Sequence, residues 1–176
     1  NTKFYCDTKV FPKPFTFLYV GRLIKHKNVE ALIQQFNTNF IDKEAVLRIV
    51  GSGAESDYLE VKYKSNKVNF AGKLFNKDLI NEFHNASCFV CPSLFEPWGL
   101  VVNEALSSGL PVIATKNTGA AFDLIQNKDT GLIAENNIDI GEKMLQLFEE
   151  ESLLKKYSDN ATKLMMEYWN YGFYES

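Results

Sequence analysis

The chain has 176 residues, 45% of them hydrophobic and 23% charged, with a net charge of -3, which is enough apolar sequence for one domain with a substantial core. The mildly acidic, mixed-sign composition excludes the clustered basic face that nucleic acid requires, and no apolar run approaches the ~18 residues of a membrane span. The amino end lacks the long apolar core of a signal peptide, and Asn1 in place of Met leads us to expect a piece of a longer protein.

From Phe15 onward, strand-like and helix-like stretches alternate. FTFLYVG (Phe15–Gly21) is apolar, β-branched and aromatic, and ends in glycine. Val29, Leu32, Ile33 and Phe36 then recur at the spacing of an amphipathic helix. AVLRIVG (Ala45–Gly51) repeats the strand pattern, and a polar helix carrying Leu59 and Val61 is expected over roughly 55–65. VNFAG (Val68–Gly72) is a short strand, with Asn76 expected to cap a helix running to Asn85. CFVCPS (Cys88–Ser93) reads as a buried strand, Glu96-Pro97-Trp98-Gly99 as a turn and Leu100 to Ser108 as a helix. PVIAT (Pro111–Thr115), a helical turn at Phe122–Ile125 and TGLIA (Thr130–Ala134) continue the alternation, and two helices follow over 138–149 and 151–167. The aromatic tail, 168–176, is expected to need a partner surface.

Apolar strands separated by helix-length segments predict a doubly wound α/β domain, a parallel sheet covered on both faces with right-handed crossovers. Ligands of such sheets bind at the carboxyl ends of the strands, and the candidate residues all fall in loops there. Three cysteines, Cys6, Cys88 and Cys91, make no even disulfide framework and fit a reducing compartment. Cys88 and Cys91 spell C-x-x-C, but residues three apart on a strand point to opposite faces. They read as core packing rather than as a redox pair or, with only two histidines in the chain, a zinc site.

Gly21 and Arg22 follow the first strand, and Lys27 and Asn28 lie near the start of the next helix. Arg22 and Lys27 suit phosphate oxygens, or else belong to a solvated basic loop. GSG (Gly51–Gly53) lacks the third glycine of a dinucleotide fingerprint and reads equally as a tight turn. Gly72-Lys73-Leu74 presents a short turn and the Leu74 side chain to a flat base. Glu96 in the turn and Glu104 about one turn into the helix stand on either side of a helix start whose first amides, after Gly99, at Leu100 and Val101, lack intrahelical partners and favour an anion. Carboxylates suit sugar hydroxyls; the alternatives are a helix cap for Glu96 and an ordinary surface acid for Glu104.

The Glu96–Glu104 pair is an E-x7-E motif, and EPWGLVVNEALSSGLPVIAT, with GRLIKHKN, IVGSG and VNFAG before it, resembles the carboxyl-terminal, donor-binding domain of glycosyltransferase family 4, retaining enzymes of GT-B fold. The likeness runs from about Phe15 to Leu154. It implies that residues 1–176 form a Rossmann-like nucleotide-sugar donor domain, one half of an enzyme whose acceptor-binding domain lies outside this sequence. It further implies that Arg22 and Lys27 hold the donor diphosphate and that the Leu100 and Val101 amides cradle its distal phosphate. Glu96 would meet the transferred sugar, Glu104 the ribose hydroxyls and Gly72–Leu74 the base. Catalytic roles fall to Glu96, Arg22 and Lys27, with no cofactor and no metal required. Asn28 stands where the family commonly has glycine, Trp98 where it has phenylalanine, and Ala120-Ala121 depart from a glycine-rich turn; the first and last of these are expected to alter loop geometry.

The resulting expectation is same-face transfer from a nucleotide diphosphate sugar, with the leaving diphosphate taking the acceptor proton. A non-catalytic nucleotide-sugar binding or interaction module and, on GSG alone, an NAD-dependent oxidoreductase are the rival readings. The expected location is the cytoplasm, with contact between the full-length protein and the inner face of the membrane left open.

Overall fold

The computed structural model describes residues 2–6 and 8–167; the aromatic tail at 168–176 lies outside them. Six strands, β1 (Phe15–Val20), β2 (Ala45–Val50), β3 (Val68–Gly72), β4 (Cys88–Cys91), β5 (Val112–Thr115) and β6 (Gly131–Ala134), form one parallel sheet in the order β3-β2-β1-β4-β5-β6. The helices are α1 (Val29–Asn39), α2 (Ser56–Tyr63), α3 (Asn76–His84), α4 (Leu100–Ser107), α5 (Asn137–Glu149) and α6 (Glu151–Glu167). This is the doubly wound architecture that the alternating pattern predicts.

Successive strand side chains enter opposite layers. Phe17, Tyr19, Cys88 and Val90 join α1, Leu59 of α2 and α5 in one core, while Leu18, Phe89 and Cys91 join Phe83 of α3, α4 and the segment 121–126 in the other. Cys88 and Cys91 are thus buried on opposite faces, as expected of core residues. Helix α6 joins the layers, with Leu154 and Tyr157 in the first and Ala161, Leu164 and Met165 in the second. An aromatic cluster anchors the first layer. Phe40 stacks on Phe36 at 5.3 Å and meets Phe17 edge-on at 5.0 Å and Phe148 at 5.5 Å, each contact adding about 0.5–1.5 kcal/mol beyond burial.

Two details depart from expectation, and a third lies in the amino-terminal arm. Asn76 is not a cap: Phe75 holds that position without a side-chain bond, and Asn76 is the first helical residue at φ 49°. The helical turn after β5 is a six-residue π-helix, Ala121–Gln126. The amino-terminal arm packs on the domain, with Lys9 Nζ donating to the carbonyls of Phe83 (2.8 Å) and His84 (2.7 Å), where the carboxyl end of α3 leaves acceptors free.

Strand order reverses between β1 and β4. These strands pair through Phe17 with Cys88 and Leu18 with Phe89, and Ser87 N donates to Thr16 O at 2.8 Å. Beyond Leu18 the pairing stops, and Tyr19, Val20, Gly21, Phe89 and Cys91 line a cleft. An open α/β sheet places its ligand crevice at such a reversal.

Candidate functional site

The loop after β1 is locked to its neighbours by close backbone packing. Gly21 N donates to Val50 O, Leu23 N to Ser52 O (both 3.0 Å) and Glu55 N to Leu23 O (2.9 Å). A Cβ at Gly51, which has φ 137°, would lie 1.8 Å from Gly21 O, and one at Gly53 would lie 2.3 Å from Leu23 O. GSG therefore lets two loops touch. Below the loop, the buried Tyr19 hydroxyl donates to Arg22 O at 2.9 Å, and burial pushes its phenol well above the ordinary range. The Arg22 side chain is exposed and has no hydrogen-bond or ion-pair partner among the described residues.

Lys25–Lys27 form one 3-10 turn, and Asn28 closes it in the left-handed region at φ 58°, ψ 32°. Asn28 thus takes up the backbone conformation that glycine favours, one that asparagine tolerates better than most side chains. Its Nδ2 donates to Pro92 O (3.1 Å) and Asn137 Oδ1 (2.8 Å).

The loop after β4 is held along both sides. Leu94 N donates to His26 O (2.8 Å), Glu96 N to Asn117 O (3.1 Å), Gly119 N to Glu96 O (2.9 Å) and Ala120 N to Trp98 O (2.9 Å). A Cβ on Gly119 would come within 2.0 Å of Pro97 O, so that position too is glycine for close approach. Beneath it, Thr115 Oγ1 donates to Ser93 O at 2.5 Å and Cys91 Sγ lies 3.7 Å from Thr118 Oγ1. Trp98 packs half-buried against the second core layer.

Glu96 does not cap α4. Gly99 occupies the cap position at φ 86°, with no side-chain cap bond, and the Glu96 carboxylate is ion-paired with Lys27 Nζ. Val102 N donates to Gly99 O at 2.8 Å, which leaves Leu100 and Val101 ahead of the first intrahelical bond. Glu104 is half-buried at the cleft, and burial raises its carboxyl above the ordinary range. No side chain among the described residues pairs with it.

Arg22, Lys27, Glu96, Gly99, Leu100, Val101 and Glu104 line one cleft of about 470 Å³, so the sequence candidates from β1 and β4 converge. Gly21 and Arg22 also border an adjoining hollow of about 330 Å³ that contains Ser52, Lys73 and Leu74. Gly72 makes the turn into it at φ 68° with open space around it. Two features escaped sequence reading: the Asn28 bonds, which depend on a backbone angle, and the exposed rings of Phe95 and Phe122 beside Glu96 in a further shallow hollow. Among the described residues no group of three or more His, Cys, Asp or Glu is arranged to hold a metal. None of their helices is long and apolar enough to cross a membrane.

Residues 6–164 match the family described as glycosyl transferases group 1, and the chain belongs to that family. It is 33% identical over 165 residues to the capsular polysaccharide biosynthesis glycosyltransferase CapM of Staphylococcus aureus, covering 88% of this chain and 42% of CapM. It thus spans less than half the length of the curated relatives it matches. The fold superposes on the C-terminal domain of the glycosyl transferase group 1 protein LpcC from Francisella tularensis with a TM-score of 0.83 at 22% identity, covering 96% of this chain and 97% of that one. It also superposes on Anabaena Alr3699/HepE in complex with UDP and glucose with a TM-score of 0.74 at 22% identity, covering 85% and 43%.

Proposed function

Starting from that family membership, we propose that residues 1–176 are the nucleotide-sugar donor domain of a retaining glycosyltransferase whose acceptor domain lies in the rest of a longer chain. One observation carries the reading: two cations, two carboxylates and the start of α4 face a single cleft at the point where strand order reverses. A donor diphosphate there meets Arg22 and Lys27 on one side and the Leu100 and Val101 amides on the other. Glu104 and Glu96 accept from ribose and sugar hydroxyls, and the hollow at Lys73 and Leu74 takes the base.

As the glycosidic bond breaks, negative charge accumulates on the departing diphosphate. The cations and helix amides then bind the transition state more tightly than the ground state. Double displacement needs a nucleophile on the opposite face of the sugar, and Glu96, already paired with Lys27, serves hydroxyl binding instead. The acceptor therefore attacks from the face the diphosphate leaves, and a diphosphate oxygen takes its proton. In this scheme side chains and amides carry the charge balance, with no metal or cofactor invoked. The proposed setting is the cytoplasm, where the full-length protein meets an acceptor that is either soluble or at the inner membrane face.

Calorimetry of this chain with UDP, GDP and ADP tests the reading. Binding of at least one, weakened in Lys27→Ala and Glu104→Gln, supports it. Binding of none, or binding indifferent to both changes, overturns it. The HepE structure with UDP and glucose makes UDP the first ligand to try.

A further inference from the structure

The donor-site reading makes Lys27 a phosphate ligand but leaves open what keeps a flexible side chain, on a short 3-10 turn, at the cleft. Lys27 lies one residue before the left-handed Asn28, where most side chains lose about 1–2 kcal/mol. Glycine would satisfy that backbone at least as well as asparagine, so the turn alone does not call for an amide. The amide makes two bonds. Pro92 O only accepts, which sets Nδ2 rather than Oδ1 toward it, and Nδ2 also donates to Asn137 Oδ1 at the first residue of α5.

Pro92 directly follows β4 and opens the loop that carries Glu96. The bond from Leu94 N to His26 O (2.8 Å) runs beside it, so the loop bearing the cation and the loop bearing the acid are stitched together at two points, Pro92 and Leu94. The Lys27–Glu96 ion pair forms across that seam.

We propose that Asn28 is a positioning residue for diphosphate binding, its amide tethering the Lys27 turn to Pro92 and Asn137 so that the ammonium is already placed when the donor arrives. This rests on the donor-site reading and acts entirely through Lys27. Preorganisation of this kind lowers the ordering cost of binding.

The test measures affinities of the native chain, Asn28→Gly, Lys27→Ala and the double variant for whichever of UDP, GDP and ADP the native chain binds. Asn28→Gly keeps the left-handed turn and removes the tether. It should weaken binding by about fivefold, as the loss of one or two hydrogen bonds implies, and should change nothing further when Lys27 is already alanine. Asn137→Ala, which removes one of the two bonds without touching the turn, should weaken binding in the same direction by less. If the native chain binds none of the three diphosphates, the donor-site reading fails and the inference falls with it. If the native chain binds and both Asn28→Gly and Asn137→Ala stay within about twofold, the tether is wrong while the site stands. An equal loss from Asn28→Gly with and without Lys27 shows a general structural role and also overturns the proposal.

Discussion

Lys27 is ion-paired with Glu96, joining the loop after the first strand to the loop after the fourth. Both side chains are largely withdrawn from solvent, at 15% and 16% exposure, so this pair is held more firmly than the surface pairs of the domain. On the proposed reading, a donor diphosphate carries more negative charge than a carboxylate, so the ammonium serves it from the same place and Glu96 is freed for sugar hydroxyls. Lys27→Ala in the full-length protein should therefore lower turnover by more than about tenfold, some 1.4 kcal/mol. Steady-state kinetics that stayed within about threefold would remove Lys27 from the charge-stabilising role.

Glu104 offers a test in which stability and binding move in opposite directions. Its burial raises the carboxyl pKa in the fold, so the folded state holds that proton more tightly than the unfolded chain does. The associated stability is full below the ordinary glutamate value and is lost as pH rises through the raised one. At neutral pH the native fold bears a half-buried carboxylate that Glu104→Gln does not. The variant should melt above the native chain at pH 7, with the gap closing near about pH 4, yet bind nucleoside diphosphate about fivefold more weakly. A variant that melts lower at neutral pH would contradict this.

Two glycines beside the hollow at Lys73 and Leu74 differ in kind. Gly51→Ala puts a Cβ 1.8 Å from a backbone oxygen at φ 137°, and should cost about 3 kcal/mol or more, or prevent folding. Gly72→Ala, at φ 68° with nothing within 4 Å, should cost only about 1–2 kcal/mol. Urea titration of the two variants would rank them, and equal costs would refute the interlocking of the two loops.

Thiol labelling checks the core. Cys88 and Cys91 are buried, and burial raises both thiols, while Cys6 is half-buried in the amino-terminal arm. Under native conditions an alkylating reagent should modify Cys6 alone, with all three reacting in denaturant. Rapid native labelling of Cys91 would mean that the floor of the cleft opens.

Metal independence follows from the proposed charge balance. Saturating EDTA should leave the turnover of full-length protein within about twofold, and a loss restored by a divalent cation would show that Arg22, Lys27 and the amides do not suffice.

The strands are legible because both faces of the sheet are covered, so FTFLYV, AVLRIV and CFVC read as largely apolar runs, interrupted only by Thr16 and Arg48. The acids were legible because a strand, a turn and a helix start leave little choice of where residues 96 and 104 stand. Other features depended on information that a linear pattern does not carry. Whether GSG serves a ligand or a close approach turns on where Gly21 O and Leu23 O lie in space. The Asn28 bonds require a left-handed angle and partners 64 and 109 residues away. The arm carrying Lys9 has no periodicity to announce its docking, and Asn76 does not cap α3 because the helix starts one residue earlier than the pattern suggests, with Phe75 in the extended cap position and Asn76 already inside the first turn.

The two-rung ladder between β1 and β4 has a mechanical corollary. Both cations ride on the block built from the first three strands, and both acids on the block built from the last three. The jaws of this grip belong to different plates of the sheet, joined above Leu18 and Phe89 by loop stitching and by the shared core that holds Tyr19, Val90, α1 and α5. The gap offered to a charged guest is therefore fixed by side chains that both plates share, so repacking that common core would reset the spacing of cations and acids together.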